Sequence, residues 1–147
     1  MRDMISNNSV AFLGTLTLSG TTAATSDYID TLGFNAASIV MVNKTITDAG
    51  TAAGFTATLQ ESDDATAAGA GSVSDAETTG GTNALSVTSD AADDQTAGAI
   101  GYNGSKRYIG FSVAGTTGTD ATVDVYALLG KPSKAPTVFA GTGVART

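Results

Sequence analysis

The side chains with chemical capacity in this sequence are carboxylates, a few bases and many hydroxyls. Acids gather at Glu61, Asp63 and Asp64, and again at Asp90, Asp93 and Asp94. Carboxylate oxygens grouped in this way are the hard ligands that calcium takes. Neither group has EF-hand spacing, and no glycine-centred tight turn stands among the acids. The plainer reading is solubilising loop charge that discourages edge-to-edge pairing. Ser105-Lys106 sets a hydroxyl beside an amine, but both follow a turn and should be exposed to water. His, Cys and Trp are absent, which removes the commonest general base, the thiol nucleophile and the imidazole ligand together. GTTGTD at 115–120 and GAGS at 69–72 lack the Lys-Ser/Thr and the following helix of a phosphate loop, so they are turns. The expectation is a protein that is not an enzyme and that has no cofactor and no metal site.

Lys106-Arg107 is the pair most suited to contact another molecule. Arg107 shares a face with Ile109 and Phe111, so it either reaches along the sheet rim or pairs with an acid; a partner contact is the sharper alternative. The charge balance supports looking there. Residues 1–100 hold twelve acids and two bases, while 101–147 hold two acids and five bases, for a net −7. An acidic chain repels the phosphates a nucleic-acid binder must neutralise. The basic third (Lys106, Arg107, Lys131, Lys134, Arg146) suits an acidic protein surface instead, or is plain solvated charge.

These groups must be held by strands. The best-patterned stretch is 98–136. Asn103-Gly104, with apolar residues on both sides, predicts a hairpin with a type I′ turn. After it, Ile109, Phe111 and Val113 alternate with Tyr108, Gly110 and Ser112. Farther on, Val123, Val125, Ala127 and Leu129 oppose Thr122, Asp124 and Tyr126. Gly130 and Pro132 should end that strand.

Earlier, VAFLGTLTLSG at 10–20 predicts a strand with Val10, Phe12, Leu16 and Leu18 on one face, interrupted by Gly14. YIDTLGF at 28–34 reads as a short extended piece. SIVMVNKTI is apolar on both faces at first, which predicts a central strand covered on both sides. FTATLQES alternates with Phe55, Ala57 and Leu59 inward. Residues 63–83 read as a long, small, acidic surface loop, and NALSVTS adds a strand through Leu85 and Val87.

About eight strands, no helix and turns every ten or so residues predict an all-β, two-sheet antiparallel sandwich. A jelly roll leads, with an immunoglobulin-like sandwich as the alternative. The length suits one domain: an N-terminal arm at 1–9, a sandwich at 10–136 and a C-terminal tail at 137–147. Val138 and Phe139 in the tail are apolar and suit burial on a neighbouring subunit. Large aromatic side chains are few, so the core should be thin. Absence of cysteine fits folding in a reducing cytoplasm. No signal peptide is visible at Met1–Val10, and the longest apolar run is too short to span a membrane.

GYNGSKRYIGFSV, followed by a Thr/Gly turn, an apolar strand and GKPSKAP, resembles a pattern in small structural proteins of tailed bacteriophages, the head decoration or cement proteins. LQESDD at 59–64 fits the same pattern, and the resemblance spans roughly the second two-thirds of the chain. It implies a virion protein on the capsid exterior, assembled in the host cytoplasm and stabilising contacts between major capsid proteins. It brings no catalytic residues. A homo-oligomer, dimer or trimer, is expected, with neither nucleic acid nor membrane as partner. The partner-contact candidates are Lys106, Arg107, Lys131, Lys134, Val138 and Phe139. The other class is a β-sandwich binding module of a head or tail fibre, recognising carbohydrate or a host surface. Such modules display Trp or Tyr platforms, whereas Tyr28, Tyr102, Tyr108 and Tyr126 mostly fall within strands.

Overall fold

The computed structural model describes residues 7–90 and 97–133. Among the described residues the named elements are eleven strands and a 3-10 turn at Asp75–Glu77. One sheet holds β1 (Asn8–Ser19), β11 (Asp120–Pro132), β4 (Phe34–Asp48), β9 (Ala97–Tyr102) and β7 (Thr78–Thr79), side by side in that order. The other is built on β10 (Tyr108–Ala114) and β5 (Phe55–Ser62). β2 (Ala24–Thr25) and β3 (Ile29–Asp30) line the free side of β10, and β6 (Gly71–Ser72) and β8 (Ala84–Val87) line that of β5.

Taking β2 with β3, and β6 with β8, as two broken edge strands leaves eight, with β7 a short added rung. The chain then changes sheet at every step except from β5 to β6/β8, and the orders are β1-β11-β4-β9 facing β2/β3-β10-β5-β6/β8. This is the jelly-roll arrangement, with every pairing antiparallel. The inner faces meet through Leu18, Ile39, Val123 and Val125 of the first sheet and Phe55, Leu59, Ile109, Phe111 and Val113 of the second, all fully buried. The inward sets expected for β5, β10 and β11 are the observed ones.

Four expectations need correction. Asn103-Gly104 is not a hairpin turn: β9 pairs with β4 and β7, whereas β10 pairs with β2, β3 and β5 in the opposite sheet. Residues 103–107 are a crossover between sheets, and Gly104 is absent from the positive-φ glycines that a type I′ turn requires.

The second concerns β1. Its pairing with β11 shifts between Phe12 and Gly14, where Gly14 has φ +124°. This bulge inserts Leu13 and reverses the facing upstream. Ser9, Ala11 and Leu13 point inward together with Leu16 and Leu18, while Val10 and Phe12 point out and are 38% and 57% exposed.

β4 departs from expectation in its cover. It is central, between β11 and β9, yet only its inner face, with Ala37, Ile39 and Met41, is covered by the second sheet. Ser38, Val40 and Val42 on its outer face are half-buried by their in-sheet neighbours alone.

Residues 63–83 are more than a loop. Val73 is 1% exposed and its N–H donates to the Leu59 carbonyl at 3.0 Å. Asn83 fastens the far end, donating its side-chain amide to the Val73 carbonyl at 2.6 Å and its backbone N–H to Asp75 at 2.8 Å. Asx chemistry of this kind reproduces a turn without a ladder.

At the other end of the chain, β11 runs through Gly130 and ends at Pro132, one of the two residues expected to stop it, with Pro132 still paired to Phe34. Lys131 takes φ +50° there, and the proline sits at the strand end, where its missing N–H costs least.

Candidate functional site

The 103–107 crossover must bridge two sheets across the end of the sandwich, and Tyr102 anchors it. Tyr102 is the last residue of β9, inward-facing and 8% exposed. Its hydroxyl donates to Glu61 Oε2 at 2.6 Å and accepts the Lys106 backbone N–H at 2.8 Å. Glu61 lies near the end of β5, so this one phenol ties both sheets to the crossover. Burial chiefly, then the carboxylate of Glu61, push the Tyr102 hydroxyl well above the ordinary tyrosine value of 10.0.

The ring also explains Gly104. A Cβ there would lie 2.4–2.5 Å from the Cε2, Cζ and Oη atoms of Tyr102. That ring is held by its two hydrogen bonds and cannot swing aside freely. Gly104→Val is therefore expected to destabilise by roughly 1–3 kcal/mol through overpacking, not through turn strain. A thermal melt equal to that of the parent would contradict this contact.

Tyr102→Phe is expected to cost roughly 1–3 kcal/mol, because Glu61 and the Lys106 N–H lose a partner at the edge of the core. It has a pH signature as well. A raised folded-state pKa gives stability that is complete below the unfolded value of 10.0 and falls as pH rises beyond it. Denaturant melts above pH 10 should weaken the parent more steeply than Tyr102→Phe. Parallel slopes would show that this hydroxyl stays hydrated.

The bases of the crossover are engaged within the chain. Lys106 Nζ pairs with the Asp63 carboxylate. Arg107 meets Asp30 of β3 through Nε at 2.9 Å and Nη2 at 2.6 Å, a fork that holds the Asp30 carboxyl below its usual range. The same guanidinium lies 5.2 Å from the centre of the Tyr108 ring. Pairing with an acid, one of the sequence readings for Arg107, is observed. Both side chains remain nearly half exposed, at 42% and 46%, so water screens each pair and each adds little to stability.

Lys131 is exposed at the end of β11, and its carbonyl accepts the Asn35 side-chain amide at 3.1 Å. Asn35 lines an open cleft of ≈ 320 Å³ with Thr31, Phe34, Tyr102 and Gly104. Lys106, Arg107 and Lys131 thus belong to one end of the sandwich. Lys134, Val138 and Phe139 lie outside the described residues, as do Asp93 and Asp94.

The other described acids of the candidate groups accept hydrogen bonds from within the chain. Asp64 accepts both the backbone N–H and the hydroxyl of Thr66, at 2.7 and 2.6 Å. Asp90 accepts the Ala49 N–H at 2.8 Å. Among the described residues no three acids come together in a group that would hold a metal ion. No helix of the described residues is long and apolar enough to cross a membrane.

One surface was missed by the sequence reasoning. The outer face of the first sheet carries Val10, Phe12, Tyr126 and Leu128 in adjacent register, with Phe12 and Tyr126 rings 5.3 Å apart and inclined at 51°. A glycine between two segments of opposite parity, Ala11-Leu13 and Leu16-Leu18, is the signal that marks the bulge.

The architecture is that of an all-β protein with two antiparallel sheets in jelly-roll order. Among solved structures it is similar to the PBSX exported protein XepA, with a TM-score of 0.53 and 16% identity, over 94% of this chain and 42% of that one. The chain thus spans less than half the length of that protein, and the likeness is one of fold. No protein-family model matches the sequence, and comparison with curated proteins finds no match.

Proposed function

We propose that this chain is a non-enzymatic structural protein of a tailed-phage particle, bound to the outer capsid surface and bridging neighbouring major capsid proteins. The observation that carries this reading is the fold shared with the PBSX exported protein XepA over nearly the whole chain. The resemblance of the 98–136 stretch to head decoration proteins points the same way. So does the chemistry: the bases and acids at the sandwich end are tied up in internal pairs that fasten the crossover. A rigid jelly roll presenting loops and edges is a scaffold for contact rather than for turnover.

The test is reconstitution. Purified chain is mixed with capsids of the encoding phage that lack it, and the capsids are sedimented and then heated. Saturable co-sedimentation with a raised temperature of capsid disruption is expected. Failure to bind capsids, together with binding to glycans or host cells, would replace this reading with that of a fibre module.

A further inference from the structure

We infer that the outer face of the β1-β11-β4-β9 sheet is a self-association surface, occupied by the same face of a second copy of this chain. In an antiparallel sandwich each sheet normally turns a polar face to water. The second sheet obeys, with Thr56, Thr58 and Gln60 outward on β5 and Ser112 on β10. The first does not. Val10, Phe12, Val40, Val42, Tyr126 and Leu128 stand in neighbouring register across β1, β11 and β4, continued by the outward alanines of β9. Phe12 and Leu128 are 57% and 43% exposed. β4 has the sequence pattern of a strand covered on both sides, and its own chain covers one.

Strands about 4.8 Å apart and rows about 6.8 Å apart make this patch on the order of 400 Å². That is within the range of the largest patches monomers expose, which are commonly functional. A stable interface takes about 800 Å² from each partner, apolar at the centre and polar at the rim. The patch supplies such a centre, and Thr15, Thr17 and Ser38 border it.

An apolar face whose bordering charge is matched within its own chain is complementary to itself, which suits a second copy as the occupant. A chain of net −7 repels itself, so copies meet with least penalty on a face without unbalanced charge. Asp124, the acid bordering the patch, is matched by Lys44 at 3.7 Å and by the Thr15 hydroxyl at 2.5 Å. The edge gives a further reason. β1 is a continuous twelve-residue outer strand without a charged residue, whereas the edges of the other sheet are broken into pieces of two to four residues. Exposed edges are ordinarily guarded by charge or interruption; here the bulge at Gly14, the Asp27 N–H donated to the Leu13 carbonyl at 2.8 Å and a bridge between Ser19 and Thr22 interrupt it, and no charge does. Two such faces stack as sheets do, about 10 Å apart, around a two-fold axis.

This inference is independent of the capsid reading and is tested on the purified full chain. Light scattering from micromolar to near-millimolar concentration is expected to rise from 14.5 kDa to twice that mass. Phe12→Glu enters a two-fold interface twice and should raise the dimer Kd at least about tenfold, since each charge loses water without gaining a partner. Gln60→Glu adds the same charge to the other sheet's outer face and should leave the Kd unchanged. Phe12→Thr, polar but suited to a strand, covers the case in which Phe12→Glu fails to fold, and should also weaken the dimer. A full chain that stays monomeric throughout overturns the inference. So does a dimer that tolerates the Phe12 substitutions, or one that Gln60→Glu weakens equally.

Discussion

Phe111→Ala should lower the unfolding free energy by about 3–5 kcal/mol, a large share of the roughly 5–15 kcal/mol that a domain possesses. Phe111 and Phe55 are the largest fully buried side chains. Phe111 sits at the middle of β10, opposite Leu59, and its N–H accepts no slack: it donates to the Ser26 hydroxyl at 2.9 Å. The rest of the core is mostly Val, Ile, Leu and Ala, whose short side chains fill little of the space a lost ring leaves. Urea unfolding followed by tyrosine fluorescence measures the loss. A shift below about 1 kcal/mol would mean that the two sheets close over the gap, which the rigid packing of interiors argues against.

Gly54→Ala should be about as damaging, for a reason rooted in the backbone. Gly54 has φ +65°, and a Cβ there would sit 1.8 Å from the Val87 carbonyl oxygen and 2.7 Å from its carbon. Neither atom belongs to a side chain that can rotate away. The Gly54 N–H donates to Thr51 at 2.6 Å, which fixes the turn entering β5. Backbone strain of roughly 1–3 kcal/mol and overpacking of about the same size both apply. Gly69→Ala isolates the first part, because Gly69 has φ +66° with nothing near its added Cβ. The Gly54 variant should lose clearly more stability than the Gly69 variant, and hydrogen exchange should quicken first along the β5–β8 ladder of Phe55–Thr58 and Ala84–Val87. Equal losses would show that the close approach to Val87 is not rigid.

Much of the sheet content was legible because a strand buried on one face writes its burial as alternation. β5, β10 and β11 show it without interruption. The errors arose where local signals and global topology disagreed. Asn103-Gly104 has hairpin residues, but in this jelly roll the chain changes sheet between β9 and β10, so these two strands, adjacent in sequence, are not partners in space. The jelly-roll reading and the hairpin reading could not both hold, and the topology prevailed. At β1 a single inserted residue, Leu13, reversed the facing of everything before Gly14; alternation read straight through a bulge assigns Val10 and Phe12 to the core. Val73 shows the converse case, a lone apolar residue among Gly, Ser and Asp that pins a long segment without any period.

The sandwich end was partly legible. Lys106 and Arg107 were recognisable as the charged pair beside β10, but their acids, Asp63 and Asp30, lie 43 and 77 residues away. No local pattern connects such positions; only the strand order brings β3, β5 and the crossover together. Tyr102 was read as a strand tyrosine, and its part in fastening three segments depends on the same long-range meeting.

The measurement that bears most directly on the proposed function is the number of copies of this chain in a purified particle. Quantitative mass spectrometry of virions from the encoding phage would compare it with the major capsid protein. A decoration protein should be present at a fixed ratio to that protein, in hundreds of copies. A handful of copies per particle, or none after purification, would contradict a place on the capsid surface.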